Sequence, residues 1–177
     1  MDGKIFIAGS GGIGQAAGLI LSESNQVNAE IYLGDISQGA IDRAIKFIAE
    51  GCGHLSKLHG VLMPMNNSND ALEAALAECD VLLDCLPGSQ APRMARLAIK
   101  HGCHYANLTE YIAETNEIME IAKEADTGFI LQTGLAPGFI NVLANQLFQD
   151  FQEIHGVDKV DHISMKVGAL SAHAHAP

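Results

Sequence analysis

Gly9-Ser10-Gly11-Gly12-Ile13-Gly14 is the feature that most restricts what this chain can become. The apolar run at 4–8 (KIFIA) leads directly into these glycines, and Ile13, Ala16, Ala17, Ile20 and Leu21 recur behind them at helical spacing. A strand that becomes a helix this abruptly needs a bend with few side chains. Glycine supplies it, because without a Cβ the backbone reaches conformations closed to other residues. With 18 glycines in 177 residues the spacing alone carries little weight, so its context must carry the argument.

The rest of the chain repeats the alternation. Apolar runs at 30–33, 61–65, 81–85, 104–107 and 129–132 read as further strands. Helical periodicity separates them at 37–50, 69–78, 89–102, 111–125 and 139–151, with Ser37 at the start of the first, Gly51 stopping it and Ser89 capping the third. Strands alternating with helices predict an α/β fold, a doubly wound parallel sheet of about six strands. In the Rossmann order 3-2-1-4-5-6 the third strand lies on an edge, where Pro64 can sit without breaking a ladder. Residues 1–152 are therefore read as one nucleotide-binding domain. The alternating stretch 159–167 (KVDHISMKV) is read as the first strand of a second α/β domain covering 153–177.

The bend has a chemical use. Gly9 would allow the turn, Gly11 would let a pyrophosphate approach the backbone, and Gly14 would let the helix pack on its strand. Ser10, Gly12 and Ile13 complete the loop, whose helix N-terminus attracts anions. Asp35 follows Gly14 by 21 residues at the end of the second strand, where a carboxylate accepts hydrogen bonds from a ribose. Asp35-Ile36-Ser37-Gln38-Gly39 holds no base to welcome a 2′-phosphate, so the expected cofactor is NAD rather than NADP. Arg43 is the one group that can turn back to alter this. Asn66 is placed at the adenine border, and Cys85, Leu86 and Pro87 along the nicotinamide half. A plain turn at each of these places, with a solvated Asp35, is the competing reading.

A formal net charge of −11 opposes binding to nucleic acid or an anionic membrane. No apolar run approaches the roughly 20 residues of a membrane span, and the opening Met1-Asp2-Gly3-Lys4 shows no signal peptide. Cys52, Cys79, Cys85 and Cys103 lie far apart, as expected of reduced thiols in a cytoplasmic protein. His101-Gly102-Cys103-His104 has the composition of a metal site, but adjacent strand residues point to opposite faces. His173 and His175 belong to a terminal segment, so no metal is expected.

Four stretches together resemble the saccharopine dehydrogenase-like family, nearest to its lysine 6-dehydrogenase-like members. They are GSGGIG, DVLLDCLPG (80–88), GCHYANLTE (102–110) and GLAPGFINVLA (134–144). The stretch from Val160 to Leu170 resembles the first strand of that family's second domain. The resemblance implies a nicotinamide-dependent oxidoreductase acting on a carbon–nitrogen bond of an amino acid or polyamine derivative, and a homodimer at full length. It departs at Asn107, where many members carry an aspartate.

No catalytic residue is assigned. Asn107, Thr109, Glu110 and Tyr111 follow the fifth strand and face the expected substrate space, with Glu110 as candidate acid or base or as a merely solvated carboxylate. Pro137-Gly138 and Asn141 are placed at the pocket floor. Two other functions stay open: a cofactor-binding sensor without turnover, and an NADP-linked reductase of the same family.

Overall fold

The computed structural model describes residues 2–52 and 57–168. Its described strands form one parallel sheet in the order β3-β2-β1-β4-β5-β6. The strands are β1 Asp2–Ala8, β2 Asn28–Asp35, β3 Leu58–Leu62, β4 Val81–Asp84, β5 His104–Asn107 and β6 Phe129–Ile130. The helices are α1 Gly12–Glu23, α2 Gln38–Gly51, α3 Asp70–Glu78, α4 Ala91–His101, α5 Ile112–Ile121 and α6 Phe139–His155. This is the doubly wound Rossmann arrangement expected from the alternation.

Strand pleating divides the core between the two faces. Phe6 and Ala8 point to one side, where Leu82, Tyr105 and Met63 meet Leu72 and Leu76 of α3, Met94 and Ala98 of α4, and Ile118 of α5. Ile7 points to the other, against Ile31, Leu33, and Ala44 and Ile48 of α2. Neighbouring residues of one strand thus bury in opposite layers, as parallel strands covered on both faces require.

Side-chain caps fix two helix starts. Ser37 Oγ accepts the Ala40 N–H at 3.3 Å, and Asn69 Oδ1 accepts the Leu72 N–H at 2.9 Å. Ser89 does not cap α4. It lies in a 3₁₀ turn, Gly88–Gln90, and α4 begins at Ala91 with Pro92 in its first turn, where a missing N–H is harmless.

β3 begins three residues earlier than the apolar run 61–65 suggests, because its ladder is set by β2, with Ile31 opposite Leu58 and Asp35 opposite Leu62. Pro64 lies just beyond this edge strand, not within it. Residues 159–167 take part in no ladder; a strand needs a neighbour to accept its backbone bonds, and none of the described strands reaches it. Ala169, Leu170, His173 and His175 lie outside the described residues. α6 leaves Phe139, Val142, Leu147 and Ile154 exposed.

Candidate functional site

All the parallel strands end on one side of the sheet, so the loops after β1, β2, β4 and β5 gather there. Such a rim, at the point where strand order reverses between β1 and β4, is where doubly wound folds bind ligands. The glycine bend opens it. Gly9 has φ +99° and donates its N–H to Gly34 O at 2.8 Å, and a Cβ there would stand 3.0 Å from Cys85 O. A Cβ on Gly14 would fall 1.9 Å from Gly9 O, so α1 can lie this close to the bend only with glycine there.

Gly11 and Gly12 differ. No described atom lies within 4 Å of where either Cβ would stand. The fold does not need these glycines for packing; their missing side chains leave open the space in front of α1. Gly11 occupies the N-cap position without a side-chain cap, and the first turn of α1 contains no acidic residue. The initial N–H groups of a helix have no intrahelical acceptors. Here they face open space at the positive end of the helix dipole, so the cradle fits a pyrophosphate. Ile13, 60% exposed, forms its apolar lip.

Asp35 closes the other side. Its Oδ2 accepts the Ser10 N–H at 2.9 Å and its Oδ1 accepts the Ser37 N–H at 3.0 Å. The carboxylate therefore ties the glycine bend to the start of α2, and its remaining lone pairs could accept hydroxyl groups of a ligand. Ser10 is buried, and its backbone oxygen accepts from Gln15 Nε2 at 3.0 Å. Ile36, next to Asp35, is exposed. Arg43 does reach back along α2: its Nη1 lies 3.4 Å from the position a Cβ on Gly39 would occupy.

The turn after β4 meets the bend directly. Cys85 donates its N–H to Ala8 O at 2.8 Å, and the Leu86 side chain lies within 3.2 Å of the Cβ position at Gly9. Burial pushes the Cys85 thiol up to about 12, with the Asp84 charge adding to it, so this thiol is not a ready nucleophile. Pro87 is exposed beyond it. Thus Gly9, Ser10, Gly11, Gly12, Ile13, Gly14, Asp35, Cys85 and Leu86 come together on one rim. Asn66 stands apart from these contacts, in an exposed bend beyond β3.

Sequence reasoning missed Asp84. It is 2% exposed; its Oδ2 accepts the Tyr105 O–H at 2.8 Å and its Oδ1 the Leu86 N–H at 3.0 Å. Burial raises its carboxyl to about 6, while the Leu86 and Tyr105 hydrogen bonds and the Arg93 charge oppose the rise. An acid inside the apolar run VLLDC was the available signal.

After β5, Asn107 is 1% exposed and accepts the Gln132 N–H on Oδ1 at 3.1 Å, whereas its Nδ2 and Thr109 Oγ1 have no hydrogen-bond partner among the described residues. Asn107 therefore braces β5 to the segment after β6 and does not line an open pocket. Glu110 and Tyr111 are exposed. Asn141 Oδ1 accepts the Gly138 N–H at 3.2 Å, which makes it a local clasp at the start of α6. The His101–His104 stretch holds no metal cluster: His101 pairs with Glu73, Cys103 Sγ turns inward to Cys79 O, and His104 Nδ1 accepts the Gly128 N–H. No group of three metal-ligating side chains occurs among the described residues. No described helix is long and apolar enough to cross a membrane.

The family model described as the saccharopine dehydrogenase NADP binding domain matches residues 5–131. Among solved structures, the chain is similar to apo histidine-tagged saccharopine dehydrogenase (L-Glu forming) from Saccharomyces cerevisiae. That match has 20% identity and a TM-score of 0.63, over 87% of this chain and 32% of the other. Shikimate dehydrogenase from Mycobacterium tuberculosis matches at 18% identity and TM-score 0.57, over 89% of this chain and 53% of the other. Scyllo-inositol dehydrogenase from Lactobacillus casei, solved with bound NAD(H) and scyllo-inositol, matches at 14% identity and TM-score 0.61, over 88% and 43%. These likenesses show the fold, and the chain spans between 32% and 53% of the length of those proteins. The glycine bend, the open N-terminus of α1 and the family match over residues 5–131 lead to one conclusion: the chain belongs to the saccharopine dehydrogenase NADP binding domain family and is a nicotinamide-dinucleotide-binding portion of dehydrogenase type.

Proposed function

We propose that this domain takes NAD in preference to NADP and serves an oxidoreductase acting on a carbon–nitrogen bond of an amino acid or polyamine derivative. The observation that carries the cofactor choice is the Asp35 carboxylate, held at the end of β2 by the Ser10 and Ser37 N–H groups. Fixed there, it accepts ribose hydroxyls and repels a 2′-phosphate. The bound dinucleotide would supply hydride chemistry at its nicotinamide ring. The protein's part is to bind and orient: Gly11, Gly12 and Ile13 at the pyrophosphate, Asp35 and Ile36 at the adenosine, Cys85, Leu86 and Pro87 along the nicotinamide half. Asn66 remains our candidate at the adenine border.

Residues 153–177 are proposed as the start of a further unit that supplies substrate contacts and a homodimer contact. The exposed apolar side chains of α6 support that reading. A cytoplasmic location fits the well-separated cysteines.

NADP is the second reading, favoured by Arg43 turning back toward Gly39 and by the family's description as an NADP binding domain. Parallel calorimetric titrations with NAD and NADP decide between them. Tighter NAD binding is expected; tighter NADP binding would move the role of Asp35 to Arg43.

A further inference from the structure

Asp84 stands where three parts of the rim meet. Its Oδ1 holds the Leu86 N–H, and Leu86 packs against Gly9 of the glycine bend. Its Oδ2 holds the Tyr105 hydroxyl of β5. From α4 the charged group acting on it is Arg93, whose Nη1 donates to Asn67 O at 2.6 Å and whose Nε donates to Gln90 Oε1 at 3.0 Å. Asn67 belongs to the bend after β3, beside Asn66. A single buried carboxylate thus touches the turn on the nicotinamide side and, through Arg93, acts on the bend near the adenine side.

An ionised carboxylate in a nearly closed site costs free energy unless its partners compensate, and buried acids of this kind concentrate at functional rims. We propose that Asp84 is a positioning residue for the cofactor: its carboxylate fixes the Cys85–Pro87 turn against the Gly9 bend, so that the site's grip on a dinucleotide depends on Asp84 carrying its charge. The proposal rests on the dinucleotide reading of this rim and adds its regulation by pH.

The proton has a route that keeps every group paired. When ionised, Asp84 accepts from both Leu86 N–H and Tyr105 O–H. When protonated, its Oδ2 donates to the Tyr105 oxygen, whose hydrogen turns to Ala91 O, 3.3 Å away. Leu86 then keeps only a neutral acceptor, which is weaker than a charged one. The carboxyl, raised to about 6, makes this exchange near neutral pH. The adjacent Cys85 thiol stays protonated throughout, having been pushed up to about 12, and burial raises the Tyr105 phenol well above its usual value.

The test is NAD affinity of the 177-residue protein, Asp84→Asn and Tyr105→Phe between pH 5.5 and 8. The wild type should lose about twofold to threefold in affinity toward pH 5.5, the size expected when one charge-assisted hydrogen bond becomes neutral. Asp84→Asn should bind weakly with a flat profile. Tyr105→Phe, which keeps the carboxylate but removes a bond that favours its charge, should shift the midpoint upward. A carboxyl titrating near 6 in the carbon-13 spectrum of the cofactor-free protein, absent from Asp84→Asn, provides a readout independent of binding. Binding with the same pH profile in all three proteins would overturn this proposal alone. No binding of NAD or NADP at any pH would overturn the dinucleotide reading and this proposal with it.

Discussion

The backbone N–H of Ser10 points at Asp35 Oδ2 across 2.9 Å, so the glycine bend after β1 and the carboxylate after β2 form one hydrogen-bonded unit. The other oxygen is held by Ser37. Asp35 is thereby a brace for the glycine bend, and on the proposed reading also the ligand for the adenosine ribose.

Asp35→Ala should therefore weaken NAD by tenfold or more while weakening NADP much less, since the lost acceptor and the lost repulsion act in opposite directions for NADP. Calorimetry with both nucleotides checks this. Equal losses would mean that Asp35 acts only as a brace.

Gly11 and Gly14 should separate binding from folding. Gly11→Val places its side chain in open space at φ −74°, so the melting temperature should hardly move while nucleotide binding disappears. Gly14→Ala drives a Cβ into Gly9 O and should destabilise the domain by several kcal/mol, as overpacking does. Thermal melts paired with nucleotide titrations distinguish the two outcomes.

Much of this site was legible because its signals are local. The bend, the helix behind it and Asp35 lie within about 30 residues, and glycine spacing next to an apolar run fixes their order. β5 was read to the residue because His104–Asn107 is bounded by Gly102 and a polar turn. Other features depend on distant partners. The start of β3 is set by pairing with β2, although His59 and Gly60 interrupt the apolar pattern after Leu58. The stretch 159–167 alternates as a strand does but finds no ladder to join. Asp84 reads as one acid in an apolar run; only the sheet brings it to Tyr105, 21 residues later. Ser89 is a good cap by type, but the 3₁₀ turn at Gly88–Gln90 delays the helix beyond it.

The pH dependence of stability follows from Asp84. Its carboxyl lies at about 6 in the folded protein against 3.8 ordinarily, so between those values the folded state binds the proton more tightly than the unfolded state. This contribution to stability is therefore lost as pH rises through 6, and amounts to about 1.4 kcal/mol between pH 5 and pH 7. Urea melts across that range should show the excess loss in the wild type relative to Asp84→Asn. A parallel response in both proteins would contradict it.

Leu82 of β4 is fully buried between α3, α4 and the sheet. Leu82→Ala should cost about 2–5 kcal/mol by leaving a cavity, read from the urea midpoint at unchanged slope. A change below 1 kcal/mol would mean that this layer relaxes freely.

On the proposed reading the N-terminus of α1 holds the pyrophosphate. Titrating NAD into the nitrogen-15-labelled protein while following backbone amides tests it most directly. The largest shifts should fall at Gly11, Gly12 and Ile13, with smaller ones at Ile36 and Leu86. Saturable binding that leaves those three amides unmoved, with shifts concentrated on α6 instead, would contradict it.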